Sequence, residues 1–92
     1  MLFRWDENKN QLIFEKRWLR FEMINENNIF IDELAQNQEK YPWQRYLICE
    51  INDYPVYVAY EKRNDENWEY YHLITMMYAR KYKDALTKAK NI

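Results

Sequence analysis

The sequence predicts an α+β fold: a short N-terminal strand, two helices, a three-stranded antiparallel meander and a C-terminal helix. Three observations carry that expectation. Two apolar-alternating runs, RYLICEI at 45–51 and YPVYVAY at 54–60, flank Asn52-Asp53, a pair suited to a tight hairpin turn with positive φ. Asp6 followed by Glu7 supplies the N-cap and the acidic first turn that open a helix. At the far end, Ala79, Tyr82, Ala85, Leu86 and Ala89 fall on one arc of about 120° at helical spacing, which marks an amphipathic helix over about 79–90.

Taken in order, residues 2–5, LFRW, alternate and read as the first strand. The helix behind Asp6 spans roughly 7–18 and is expected to turn Leu12, Phe14 and Trp18 inward. Phe21 to about Asn27 reads as a second, shorter helix, stopped by Asn27-Asn28, with Ile29–Ile31 extended behind it. Residues 32–43, DELAQNQEKYPW, are polar, run through Pro42 and read as an exposed connection. In the hairpin, period two puts Leu47, Cys49 and Ile51 on one face, and Tyr54, Val56, Val58 and Tyr60 on one face of the next strand. Pro55, without an N–H, suits a strand start and most easily an edge. KRNDEN at 62–67 is a polar turn before a third strand at about 68–76. Arg80, Lys81, Lys83, Lys88 and Lys90 occupy the outer face of the last helix.

A chain of 92 residues supports one domain, residues 1–92. Aromatic residues make up 18%, and such rings supply much buried area each, so disorder is not expected. The chain has no glycine and no serine, which excludes glycine-rich phosphate loops, dinucleotide fingerprints and serine-nucleophile triads. One cysteine, Cys49, leaves no internal disulfide and reads as a buried small apolar residue; one histidine, His72, excludes a multi-histidine metal site. The carboxylates at 61, 65, 66 and 69 lack calcium-loop spacing and read as a solvated turn. No stretch approaches the roughly 20 apolar residues of a membrane span and the start lacks a signal-peptide core, so a cytoplasmic protein is expected. The net charge of -1 hides a segregation: net +2 over 1–20, -7 over 21–79 and +4 over 80–92. Two basic ends folded together would make a local phosphate site.

The opening F-R-W-D-E-N-K-N at 3–10 resembles the start of the BrnT family, toxins of bacterial type II toxin–antitoxin pairs, which typically begin F-x-W-D-x-x-K-N and continue to K-H-G-x-S-F-E. Phe3, Trp5, Asp6, Lys9 and Asn10 match, then Lys16, Phe21 and Glu22. Q-R-Y-L-I at 44–48 looks like the family's E-R-F-I strand, V-A-Y-E at 58–61 like its V-V-Y-T strand, and I-T-M-M-Y-A-R-K at 74–81 stands where it has I-S-A-R-K-A-T-R. Two departures are plain. K-H-G reads Lys16-Arg17-Trp18, and the late R-K falls on Met77-Tyr78, with Arg80 and Lys81 three residues beyond.

The resemblance implies a RelE-like domain that cleaves RNA without a metal or other cofactor. It also implies a cognate ribbon-helix-helix antitoxin that neutralises the toxin and alone contacts operator DNA, and no membrane. RNA scission through the 2′-hydroxyl needs a proton acceptor, a proton donor and cations beside the phosphorane. On the resemblance, Arg45, Arg80 and Lys81 bind phosphate, Tyr78 is an acid or stacking platform, and Lys16 and Arg17 contact RNA. Each has a plain counter-reading: Arg45 as an edge charge, Tyr78 as packing, the others as solvated helix faces. Trp5 and Asp6 read as core anchor and helix cap, and His72 as structural. Two other functions stay open: a catalytically inactive relative that binds or inhibits a protein, and a general nucleic-acid binder.

Overall fold

The hairpin chemistry organises the molecule. In the computed structural model, which describes residues 1–35, 40 and 44–91, Asn52 and Asp53 both take positive φ, 52° and 64°. That turn pairs β3 (Arg45–Ile51) with β4 (Tyr54–Asn64) from Ile51↔Tyr54 to Arg45↔Tyr60. Asn and Asp tolerate this left-handed backbone, so the turn forms without glycine. β5 (Glu69–Tyr78) returns antiparallel along β4, with a register shift at Ala59/Tyr60. The expected meander is therefore present, with β4 and β5 longer than the sequence suggested.

Two further strands complete a five-stranded mixed sheet of order β1-β5-β4-β3-β2. β1 (Phe3–Trp5) lies parallel to β5, Phe3 opposite Tyr71, and β2 (Ile29–Leu34) lies antiparallel to β3. Residues 32–34 thus belong to a strand instead of the expected connection, because their backbone pairs with 45–47. Of the rest of that expected connection, only Ala35 and Lys40 are among the described residues; 36–39 and 41–43, with Pro42, lie outside them. Pro55 sits at the start of β4, a central strand, where the carbonyl of Pro55 still accepts the Ala79 N–H at 2.9 Å.

α1 (Glu7–Arg17) starts where the sequence places it: the Asp6 carboxylate accepts the N–H groups of Asn8 at 2.8 Å and Lys9 at 3.4 Å. Its inward face differs from expectation. Asn10 and Ile13 are buried, whereas Leu12 is 51% and Trp18 74% exposed. The expected second helix is two separate 3-10 turns, Phe21–Met23 and Glu26–Asn28, the latter held by a reciprocal cap between Asn25 and Asn28. The side chain of Asn10 ties these parts together. It accepts the buried Phe21 N–H at 2.8 Å and donates to Glu7 at 3.2 Å and Glu22 at 2.5 Å. A polar residue holds the helix to the following segment there, which hides the helix face from any apolar-periodicity count.

Both faces of the sheet are covered. On one, Ile13, Leu19, Phe21 and Ile24 pack on Leu47, Cys49, Val56, Val58, Tyr60, Leu73 and Met76. Each fully buried apolar side chain of this kind stabilises the fold by roughly 1.5–3 kcal/mol. On the other, a 3-10 turn at Arg80–Tyr82 leads into α2 (Lys83–Lys90), which packs on β4 and buries Leu86. Tyr46 stacks on Tyr57 (5.3 Å between centroids) and meets Tyr82 at 6.5 Å beneath it. Of the face predicted for this helix, only Ala89 is exposed. Of the 61–69 acidic run only 65–68 is the expected turn, since Glu61 lies in β4 and Glu69 opens β5; there Asp65 accepts the N–H groups of Asn67 and Trp68 at 3.0 and 2.9 Å, which holds its carboxyl below the usual range.

Candidate functional site

The segment that leaves α1 creates the site. Trp18 caps the helix in a left-handed conformation, φ 60° and ψ 23°, with its N–H on the Phe14 carbonyl at 2.9 Å. A bulky side chain is rare in this region of backbone space and strained there. The capping geometry leaves the indole in solvent, resting edge-on against Phe14 (5.4 Å). Arg20 covers Phe14 at 3.9 Å.

Beside this indole opens a groove of about 430 Å³, lined by Trp18, Leu19, Ile51, Asn52, Tyr54 and Tyr78. Three aromatic side chains from three parts of the chain meet here: a helix cap, the residue after the hairpin turn and the end of β5. The rings of Tyr54 and Tyr78 are perpendicular at 5.6 Å. The Tyr78 hydroxyl donates to the Arg17 carbonyl at 2.9 Å, joining β5 to the end of α1, and Tyr78 is 50% exposed.

Two cations stand beside the groove. Lys83 Nζ stands 5.4 Å over the Tyr54 ring. The Arg17 guanidinium reaches the Met76 carbonyl at 3.4 Å, two residues before Tyr78. Lys16 and Arg80 are exposed and have no charged or hydrogen-bonding partner among the described residues. The nearest carboxylates of the hairpin are already engaged: Lys90 bonds Asp53 and lies 3.6 Å from Glu50. That pairing lowers the Asp53 pKa and raises that of Lys90. Positive charge thus stands beside the groove although the chain's net charge is -1.

Of the residues singled out in the sequence, Tyr78 and Arg17 meet at this groove, Lys16 precedes Arg17 in α1, and Arg80 lies two residues past Tyr78. Lys81 leans over the Tyr82 ring at 5.4 Å, toward the opposite face of the sheet. Arg45 is elsewhere. It pairs in register with Tyr60, whereas Tyr78 pairs with Val56. Four residues of strand and two strand spacings separate them, about 13 Å along the sheet and ~10 Å across. No one phosphodiester bridges Arg45 and Arg80.

At its own end Arg45 is part of a closed cluster. Its Nε donates to the Tyr60 hydroxyl at 2.9 Å and its Nη2 lies 3.4 Å from Asp32, while Tyr60 donates to the same carboxylate. The Tyr60 bond raises the pKa of Arg45, and burial followed by Asp32 raises that of Tyr60, which stays a phenol at any ordinary pH. Tyr71 stacks on Tyr60 at 4.6 Å, the two rings almost parallel. Arg45 thus joins β2 to β3 and β4.

Sequence reasoning missed Trp18, Tyr54 and Lys83 as site residues. The signal for Trp18 was present: it stands where the BrnT pattern has glycine, the residue that adopts positive φ without strain. Cys49 is fully buried, with its thiol pushed up to about 12 by desolvation, and His72 is half-buried in β5, its pKa lowered first by burial and then by Arg63. Neither touches the groove. Among the described residues no cluster of His, Cys, Asp and Glu is arranged to hold a metal ion, and no helix is long and apolar enough to cross a membrane. No family model, no curated protein and no solved structure matches the chain.

Proposed function

We propose that this chain is a cytoplasmic toxin of the BrnT type, a metal-independent ribonuclease with a RelE-like fold, acting at the Trp18–Tyr54–Tyr78 groove and neutralised by a ribbon-helix-helix antitoxin. The observation that carries the reading is the Tyr78 hydroxyl held on the Arg17 carbonyl at the rim of an aromatic groove flanked by Lys83 and Arg17. Single-stranded RNA is bound by this combination of stacking rings and positive charge. The left-handed backbone at Trp18 supports the resemblance, since the family pattern puts glycine there.

In this reading the 2′-oxygen attacks the adjacent phosphorus and the bond to the 5′-oxygen breaks. Tyr78 supplies the proton to the leaving oxygen, and Lys16, Arg17 and Arg80 neutralise the phosphorane. Among the described residues the groove lining holds no imidazole or carboxylate, so the 2′-hydroxyl proton passes to solvent. Arg45 and Lys81 fall out of the site. Expression of the chain alone in bacteria should arrest growth and degrade RNA in extracts containing EDTA, and Tyr78→Phe with Arg80→Ala should abolish both. Unimpaired growth at verified expression overturns the proposal.

A second reading keeps the scaffold without cleavage: an inactive relative that captures a protein. The missing proton acceptor and the engagement of Arg45 with Asp32 and Tyr60 favour it. It predicts a tight complex with a neighbouring small protein and no RNA degradation in either the wild type or the Tyr78 variant.

A further inference from the structure

The groove carries a more specific assignment, which rests on the RNA reading above. We propose that Trp18 is a base-stacking platform, and that the groove takes one unstacked nucleobase of single-stranded RNA between its indole and the Tyr54 and Tyr78 rings.

Three independent features converge on this. The first is strain. Position 18 requires a left-handed backbone, and a tryptophan there is held against its own conformational preference and left 74% exposed. Folding alone gains little from that indole, whose ring contact is the edge of Phe14. Strained, exposed aromatic residues of this kind are expected where a ligand supplies the missing contact. The second is shape. Tyr54 and Tyr78 stand at right angles beside the indole, so the 430 Å³ groove offers both a face and an edge to a planar ring, and its volume falls in the range of small-ligand sites. Asn52 adds the one side-chain amide of the lining, able to donate to and accept from a base edge. The third is charge. Lys83 over Tyr54 and Arg17 behind Tyr78 place positive charge at two sides, while Lys90 engages Asp53 and Glu50. A planar group attached to an anionic backbone matches all three features. A base paired in a duplex does not, because its faces are already covered.

The test uses a 5′-fluorescein-labelled 2′-O-methyl oligoadenylate hexamer, which cannot be cleaved, and the same strand annealed to its complement. Fluorescence anisotropy should show the wild-type chain binding the single strand at least about tenfold more tightly than the duplex. Trp18→Gly should weaken single-strand binding by about tenfold or more, the loss expected for one stacked base. Trp18→Phe, which keeps a ring, should stay within about threefold. Glycine suits the backbone at this position, so the melting temperature of Trp18→Gly should equal or exceed that of the wild type, which separates lost stacking from lost folding.

Equal affinities of Trp18→Gly and wild type overturn the assignment, and so does equal binding of single strand and duplex. Continued growth arrest by Trp18→Gly in either case leaves the ribonuclease reading standing by itself. A wild-type chain that binds neither oligonucleotide overturns both. Protection of Trp18 from acrylamide quenching by a co-expressed protein, and not by the hexamer, assigns the groove to that protein and also overturns the inference.

Discussion

Replacing Asn10 by alanine tests how α1 is held to the molecule. The amide is 2% exposed and makes three hydrogen bonds, one to a buried backbone N–H and two to carboxylates. Alanine leaves the Phe21 N–H buried without an acceptor, which costs about 1–3 kcal/mol. Glu7 and Glu22 are exposed and recover water, so their loss adds about 1 kcal/mol between them. The sum, about 2–4 kcal/mol, lowers the melting temperature of a domain this size by about 10 °C or more. Asn10→Asp separates the two roles. It keeps an acceptor for Phe21 but sets a third carboxylate beside Glu7 and Glu22, so its folded pKa rises above the unfolded value. Its stability relative to wild type is then greatest below the unfolded carboxylate range and is lost as pH rises through the folded pKa. Urea unfolding followed by circular dichroism at pH 7 and pH 4 measures both. An Asn10→Ala midpoint equivalent to a loss under 1 kcal/mol, or an Asn10→Asp variant with no recovery at pH 4, refutes the reasoning.

Two further outcomes follow from other parts of the structure. Cys49 is fully buried with its thiol pushed up to about 12, so a thiol reagent such as DTNB at pH 8 should react only at the rate of unfolding, and fast labelling in native buffer contradicts the placement. Tyr60→Phe removes the acceptor of Arg45 Nε and the donor to Asp32, and should destabilise by about 1–2 kcal/mol while leaving hexamer binding within twofold; a binding loss above about tenfold in a folded variant puts the RNA contact at the wrong end of the sheet.

What the sequence made legible is what short-range chemistry decides. The Asn52-Asp53 turn, the Asp6 cap and the Asp65 turn each rest on a side chain that bonds or bends its own neighbourhood, and each is found where it was read. The α1 face was misread because its buried contacts are a polar hub and one isoleucine, while Leu12 and Trp18 face solvent. β2 was cut short because Asp32 and Glu33 look like loop residues; in the fold Asp32 meets Arg45 and Tyr60, and Glu33 accepts from Tyr46 at 2.7 Å, pairings that only a sheet creates. The candidate site divides the same way. Tyr78 and Arg17, far apart in sequence, meet, whereas Arg45 and Arg80 share only a residue type and the hairpin register sends them to opposite ends. The inward placement expected of Trp18 fails because nothing in a helical wheel foretells a left-handed cap.

The groove draws on position 18, on the turn at 51–54 and on Tyr78, and β1 reaches the sheet only through β5. A fragment that stops before residue 71 leaves β1 without a strand to pair with, and one that stops before residue 78 lacks the third aromatic wall of the groove.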